Sequence, residues 1–370
     1  MVKFSVFFAG LCLWATSGTV IAGKVPWHLE SVMVPTPPAP SSINAWGIKP
    51  GDNKVVVAVL DSGVISEHPA LRGRLLPGYD MQQAPNNTRG SRSENATPES
   101  PNQSCKGQPV SNAYRTHGTE VTSLIAGNGE DGVWGVNPNA YILPIRIMGP
   151  CPASRDDIID AMAWAAGLFV EGVPINPNPA HIINLSFSGG DFSCDRRTQE
   201  LIDKIVAKGI FVVAAAGNNF GKQLQEPANC HGVISVGALN AQNELEVYSA
   251  LDQRTTIYAP GGGRNLPARA PWAVNKLRVA TEQLDMLGRP RLNGADRGIG
   301  TSYAAPVVSG LVALLLSHQP DTKPETFKAN IKQFAEELQF KGLQSNSGDV
   351  LRLFISDMKI ITDIETQRTR

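Results

Sequence analysis

Three polar residues stand out because together their types make a nucleophile. Asp61 directly follows an apolar run (VVVAVLDSGV), His117 opens THGTEVTSLIAG, and Ser302 lies in GIGTSYAAPVVSGLVALLL. A serine hydroxyl attacks a carbonyl poorly until a base takes its proton, and imidazole does this near neutral pH. A carboxylate then fixes the imidazole's tautomer and stabilises its cation. Singly, each residue has a plainer reading: a turn cap for Asp61, a structural imidazole for His117, an N-cap for Ser302. Those readings do not account for all three in one order, flanked by glycines, at strand ends and helix starts. The order is Asp, His, Ser, and no G-x-S-x-G elbow surrounds Ser302, which argues against the usual esterase fold.

The surrounding segments say what must hold these residues. Lys54 to Leu60 (KVVVAVL) is a near-continuous β-branched run, the pattern of a strand covered on both faces. Segments 141–147, 181–185, 210–214 and 233–236 read alike, and Asn218 follows one of them in AAAGNN. Helices fall between. Ser154 starts a capping box (SRDD) before a helix with Ile158, Ile159, Met162 and Ala166 on one side. Another helix runs from about Arg196 to Lys208 and is ended by Gly209. This alternation predicts an α/β fold, a doubly wound, mostly parallel sheet with helices on both faces. Sites in such sheets form at the carboxyl ends of the strands. Ser302 opens an apolar helix interrupted at Pro306, which has no N–H to pair with the Ser302 carbonyl. A distorted first turn in a buried helix points to chemistry rather than packing.

Composition narrows the class. Hydrophobic residues at 42% and charged residues at 18% exclude disorder and coiled coil. Lys+Arg and Asp+Glu number 33 each, so no net field exists to hold nucleic acid or an anionic membrane. Residues 1–22 read as a secretory signal peptide: Lys3, an apolar run from Phe4 to Ala15, and small residues before a cut after Ala22. The run is shorter than the roughly 18 apolar residues of a membrane span. Residues 23–42 are expected as a short Pro-rich leader, removed or loose on the surface, 43–357 as the catalytic domain and 358–370 as a charged tail. Residues 81–107 read as a long polar surface loop and 261–299 as a second irregular stretch. From Lys323 the sequence PETFKANIKQFAEEL predicts an amphipathic helix, followed by a short strand over Val350–Ile355.

Cys12 falls in the signal, leaving Cys105, Cys151, Cys194 and Cys230. An even count in an exported chain implies two disulfides, with three pairings open. Pairs 105–151 and 194–230 are preferred because each closes a loop within one half of the fold. No CxxC pair or His cluster supports a zinc site instead.

The motifs DSG at Asp61, HGT at His117, GTSYAAP at Ser302 and AAAGNN at Asn218 resemble those of the subtilisin-like serine proteases, or subtilases, of the secreted bacterial type. The resemblance runs from about Ile43 to Ile355. It implies a secreted or periplasmic serine endopeptidase in which Asp61 orients the base, His117 is base and acid, and Ser302 is the nucleophile. Asn218 and the Ser302 N–H would form the oxyanion hole. Ser186, Phe187, Ser188 and Gly189 would pair with an extended substrate and form one wall of its primary pocket. Ala215, Ala216 and Gly217 would form the other wall. The pocket base falls near Gln225 or Glu226; small walls suit an apolar side chain, and an inward Glu226 would favour basic ones. The resemblance implies no cofactor for the chemistry. A structural calcium near Asn128, Glu130 and Asp131 is one reading of that loop, a plain polar turn the other. The expected partners are protein or peptide substrates acting on a monomer, with no stable membrane insertion after signal cleavage. The chain departs from the family pattern at Glu120, where many members have a second His, and at Tyr303, where many have Met. About 20 residues between signal and domain are too few for the usual folding-assisting prodomain. A catalytically silent binding protein on the same fold is the alternative, and would show a lost triad or oxyanion residue.

Overall fold

The computed structural model of the chain describes residues 29, 51–82, 96, 115–149, 153–190, 192–242, 244–264, 274–284 and 290–331. The β-branched run after Lys54 forms β1 (Val56–Asp61), every residue of which is buried. Around it lie β2 (Tyr79–Asp80), β3 (Tyr141–Arg146), β4 (Ile182–Leu185), β5 (Phe211–Ala215), β6 (Ile234–Leu239) and β7 (Ile257–Pro260). They make one sheet in the order β2-β3-β1-β4-β5-β6-β7. Every pairing in it is parallel, as the alternation of strand and helix predicts.

Successive side chains of a strand face opposite sides, and here that alternation divides two cores. Val55, Val57 and Val59 join one core with the helices α1 (His117–Ala126) and α4 (Thr301–His318). Val56, Ala58 and Leu60 join the other with α2 (Arg155–Ala165) and α3 (Arg196–Ala207). The helix starts are chemically marked. Ser154 caps α2 by accepting from Asp157 N at 3.0 Å, and Asp195 caps α3 through the N–H groups of Arg197 and Thr198. Gly209, at φ 80°, follows the end of α3 and takes the left-handed position that ends a helix there. Helix α4 is apolar enough to cross a membrane by length and composition, yet 89% of it is buried, so it is the core helix of this sheet.

Two expectations change. Residues 261–299 are not irregular throughout: β10 (Leu277–Leu284) and β11 (Pro290–Gly298) pair as an antiparallel hairpin, with a two-stranded β8 (Gly263–Arg264) and β9 (Val274–Asn275) before it. The sequence PRLNGADRG has no apolar alternation, and the hairpin is fixed instead by its ladder and by packing on α1. Leu277 and Val279 cluster with Leu124 and Tyr303, and the Ala280 N–H donates to Ser123 Oγ at 3.0 Å. Second, the 23–42 segment is not loose at Leu29. That side chain is fully buried, inside the core of α1 and α4. The prolines at 26 and 35–40 dominate a reading of this segment, although Val25, Leu29, Val32 and Met33 fall at a three-to-four-residue spacing. The expected 194–230 disulfide is present with Cα atoms 5.1 Å apart, whereas Cys105 and Cys151 lie outside the described residues, as do Val350–Ile355 and most of 81–107. The amphipathic helix after Lys323 is present over 324–331, with Phe327 and Ile331 buried in the α1–α4 core.

Candidate active site

Asp61 ends the central strand at its carboxyl edge, where its carboxylate is completely buried. One oxygen accepts from the N–H of Ser62 at 2.7 Å. Both face His117, the first residue of α1, whose Nδ1 is 2.9 Å from Oδ1 and 3.0 Å from Oδ2. This bond sets the tautomer: Nδ1 carries the proton and Nε2 is left as the acceptor. The close approach of α1 to the strand requires Gly118. A Cβ there would come within 2.3 Å of the Gly63 carbonyl oxygen, and its N–H donates to Ser62 Oγ at 3.0 Å.

Burial by itself would lower the His117 pKa. The charge of Asp61 and its hydrogen bond, aided by the Glu120 carboxylate, outweigh this and raise it above 6.5, with Arg297 opposing.

Ser302 is the second residue of α4, behind an N-cap at Gly300. Asn218 follows β5, and its Oδ1 accepts from Thr301 N at 2.9 Å and Thr301 Oγ1 at 3.0 Å. With the carbonyl end so committed, the amide Nδ2 end is turned the other way. A Cβ placed on Gly300, whose φ is 143°, would lie 3.1 Å from that Nδ2 and 3.2 Å from Ser302 Oγ. The two groups therefore face one small volume, kept open by a glycine. His117, Asn218 and Ser302 all line a single cavity of about 800 Å³.

The same cavity takes in Ser186, Phe187, Ser188 and Gly189, and on its other side Ala215. Ala216 and Gly217 do not line it. Ala216 is fully buried in the α2–α3 core, because the residue after Ala215 points to the opposite face of the sheet. Gly217 instead frames the site, donating its N–H to Thr301 Oγ1 at 3.1 Å. Both Gln225 and Glu226 line the cavity, and Glu226 does point inward. Its carboxylate accepts from Thr198 Oγ1 at 2.5 Å and from Arg155 Nη2 at 3.3 Å. Arg155 and Thr198 are cavity residues that sequence reasoning missed. They come from the first turns of α2 and α3, and only the fold brings them to Glu226.

In the loop at Asn128–Asp131 several polar atoms already have protein partners. Asn128 Oδ1 accepts from Glu130 N at 3.0 Å, its Nδ2 donates to Pro69 O at 2.9 Å, and the cationic Arg278 guanidinium occupies the backbone oxygen of Asp131. Among the described residues no three His, Cys, Asp or Glu side chains converge as metal ligands.

Comparison with known proteins agrees with this geometry. The family pattern described as "Subtilase family" matches residues 52–349. An extracellular basic protease of Dichelobacter nodosus is 35% identical over 275 residues, covering 71% of this chain and 43% of that protein. An extracellular protease of Xanthomonas campestris pv. campestris is 34% identical over 304 residues, covering 80% and 49%. The chain thus spans about half the length of these curated relatives. A solved protease structure from Pseudoalteromonas arctica superposes with a TM-score of 0.64 at 30% identity, covering 86% of this chain and 88% of that one. A cold-adapted subtilisin-like serine proteinase shares the fold at 20% identity and a TM-score of 0.57. With the match spanning the sheet and every residue of the Asp61–His117–Asn218–Ser302 cluster, the chain belongs to the subtilase family.

Proposed function

We propose that this chain is a serine endopeptidase that cleaves protein or peptide substrates through an acyl-enzyme. One observation carries the reading: His117 is bound through Nδ1 to a buried carboxylate and shares one cavity with Ser302 and Asn218. Ser302 Oγ attacks the scissile carbonyl as His117 Nε2 takes its proton. The tetrahedral oxyanion is met by Asn218 Nδ2 and by the Ser302 N–H at the start of α4, where the helix dipole also favours negative charge. His117 then gives the proton to the leaving amine, and water enters by the same base to release the acyl group. Asp61 holds the imidazole in place and stabilises the imidazolium.

Substrate is held extended along Ser186–Gly189, whose backbone groups give affinity for any sequence, while the cavity reads one side chain. Its floor combines Glu226 with Arg155, so it is polar and near neutral in charge rather than apolar. The chemistry requires no cofactor from these residues, and the chain acts as a monomer. We place it outside the cytoplasm, secreted or periplasmic, in keeping with its disulfide and with the names of its extracellular relatives.

A phosphonylating serine reagent tests the assignment. It should label Ser302 in the native chain, and Ser302→Ala should lose both label and peptidase activity while keeping its fold. Full activity in that variant, or labelling elsewhere, would overturn the reading.

A further inference from the structure

The two departures from the family pattern, Glu120 and Tyr303, meet in the structure. We propose that Glu120 is a positioning residue for His117, the centre of a buried polar cluster that clamps the histidine helix, the serine helix and the β10–β11 hairpin together. The proposal rests on His117 being the catalytic base.

Glu120 lies one turn into α1 and its side chain is 2% exposed. Oε1 accepts from Thr116 Oγ1 at 2.7 Å and from Thr281 Oγ1 at 3.0 Å, and it forms an ion pair with Arg297 Nε at 3.1 Å. Oε2 accepts from the Tyr303 hydroxyl at 2.5 Å. Four elements thus converge on one carboxylate: the residue before His117, β10, β11 and the residue after Ser302. Tyr303 carries the contact back to the base. Its ring stands edge-on to the imidazole, with centroids 5.6 Å apart at 70°. Glu120 therefore holds the neighbours of both His117 and Ser302 without touching the substrate cavity.

Packing alone is a poor account of this cluster. The Glu120–Arg297 pair adds little stability, because Arg297 is 41% exposed and solvent screens its charge while the carboxylate is desolvated. What a charge pair can do here is act on the imidazole. The charged or titratable groups facing His117 are Asp61 from β1, Glu120 from α1, Arg297 from β11 and the Tyr303 phenol from α4, with the Arg115–Glu282 pair at the helix entrance. Glu120 raises the His117 pKa and Arg297 lowers it. Glu120 and Arg297 thus form an opposed pair whose balance trims a value set chiefly by Asp61 against burial.

The test is the pH profile of kcat/KM in the full chain with Glu120→Gln and Arg297→Gln, beside Tyr303→Phe. Activity needs neutral His117, so the acid limb reports its pKa. Glu120→Gln should move that limb to lower pH and Arg297→Gln to higher pH, each by about half a unit, or roughly threefold in rate on the limb. Tyr303→Phe should lower kcat with KM little changed and leave the limb in place. Glu120→Asp should restore the wild-type limb. Equal losses of amplitude with no opposed displacement would overturn the proposal, since a structural role has no sign. Should Glu120→Gln fail to fold, Arg297→Gln decides alone, because Arg297 is 41% exposed and can be replaced at the surface. Titration of Ser302 by the serine reagent in each variant separates the two failures: no label in the wild type refutes the base assignment itself, whereas normal labelling with fixed limbs refutes only the role of Glu120.

Discussion

Asp61 and Arg297 both act on His117, and they come from regions built in different ways. Asp61 is the last residue of a central strand buried on both faces, and Asn218 follows a neighbouring one. Their places are fixed by a parallel ladder and by two cores, so they cannot shift without the sheet. Arg297 and Thr281 lie on a two-stranded hairpin that reaches the site from outside that sheet and is tied to it by side chains. On the proposed reading, the sheet supplies the groups that take part in the reaction. The hairpin, like the segment carrying Leu29, supplies groups that steady or adjust them. The difference predicts two kinds of variant: losses of chemistry with the fold intact, and changes of stability or preference with the chemistry intact.

The sharpest case on the sheet side is Asp61→Asn. The amide fits the same space but can present an N–H to Nδ1, favouring the wrong tautomer, and kcat should fall by about 10⁴-fold. The acid limb should also move to lower pH, because Asp61 is the strongest group raising the His117 pKa. Steady-state kinetics over pH 5–9 check both; a loss under about tenfold would place Asp61 outside the reaction. Asn218→Ala follows in size. One oxyanion donor contributes about 3 kcal/mol in the transition state, so kcat should drop by roughly 10²–10³ with KM little changed. A pure KM effect would make Asn218 a cleft residue instead.

Leu29→Ala breaks the comparison from the other side. The leucine is fully buried among residues of α1 and α4. Truncating it should cost about 2–5 kcal/mol by lost transfer energy and the cavity left behind. Below the unfolding transition kcat/KM should match the wild type. Denaturant unfolding with parallel kinetics decides it, and an unchanged midpoint would mean that Leu29 is dispensable to the core.

How much of this was legible beforehand follows from the same division. Strands and helices of the sheet announce themselves by unbroken β-branched runs, the Ser154 cap and the terminating Gly209, all local signals. Asp61, His117, Asn218 and Ser302 sit in short motifs at those element ends, so they too could be read off. Leu29 is passed over because prolines at 26 and 35–40 mask the Val25, Leu29, Val32 and Met33 spacing around it. The hairpin could not be read off, since its second strand PRLNGADRG is polar and paired through its backbone. Ala216 was misplaced by a single residue, which on a strand means the opposite face. Glu120 was visible as a departure from the family pattern, but its meaning depended on Thr281, Arg297 and Tyr303, all more than 150 positions away in the chain.

The smallest effect, and the finest test of the contrast, is expected at the cavity floor. Glu226 comes from the turn before Pro227, outside any strand, and its carboxylate is held between Thr198 and Arg155. Arg155 also lies 4.0 Å from Asp195, so it is shared between two acids and offers little net charge to a substrate. Glu226→Gln keeps an oxygen for Thr198 but removes one of those two acids. Arg155 then has more of its field free toward the cavity, and acidic side chains at the residue before the scissile bond should gain on basic ones. A part-exposed charge contributes about 1 kcal/mol at most, so the ratio of the two kcat/KM values should change by roughly fivefold. Profiling wild type and variant on one peptide library measures the ratio directly. A change in the opposite sense would show that Glu226 does not face the substrate side chain. An equal fall for every substrate would show that the floor holds the shape of the cavity rather than reading what enters it.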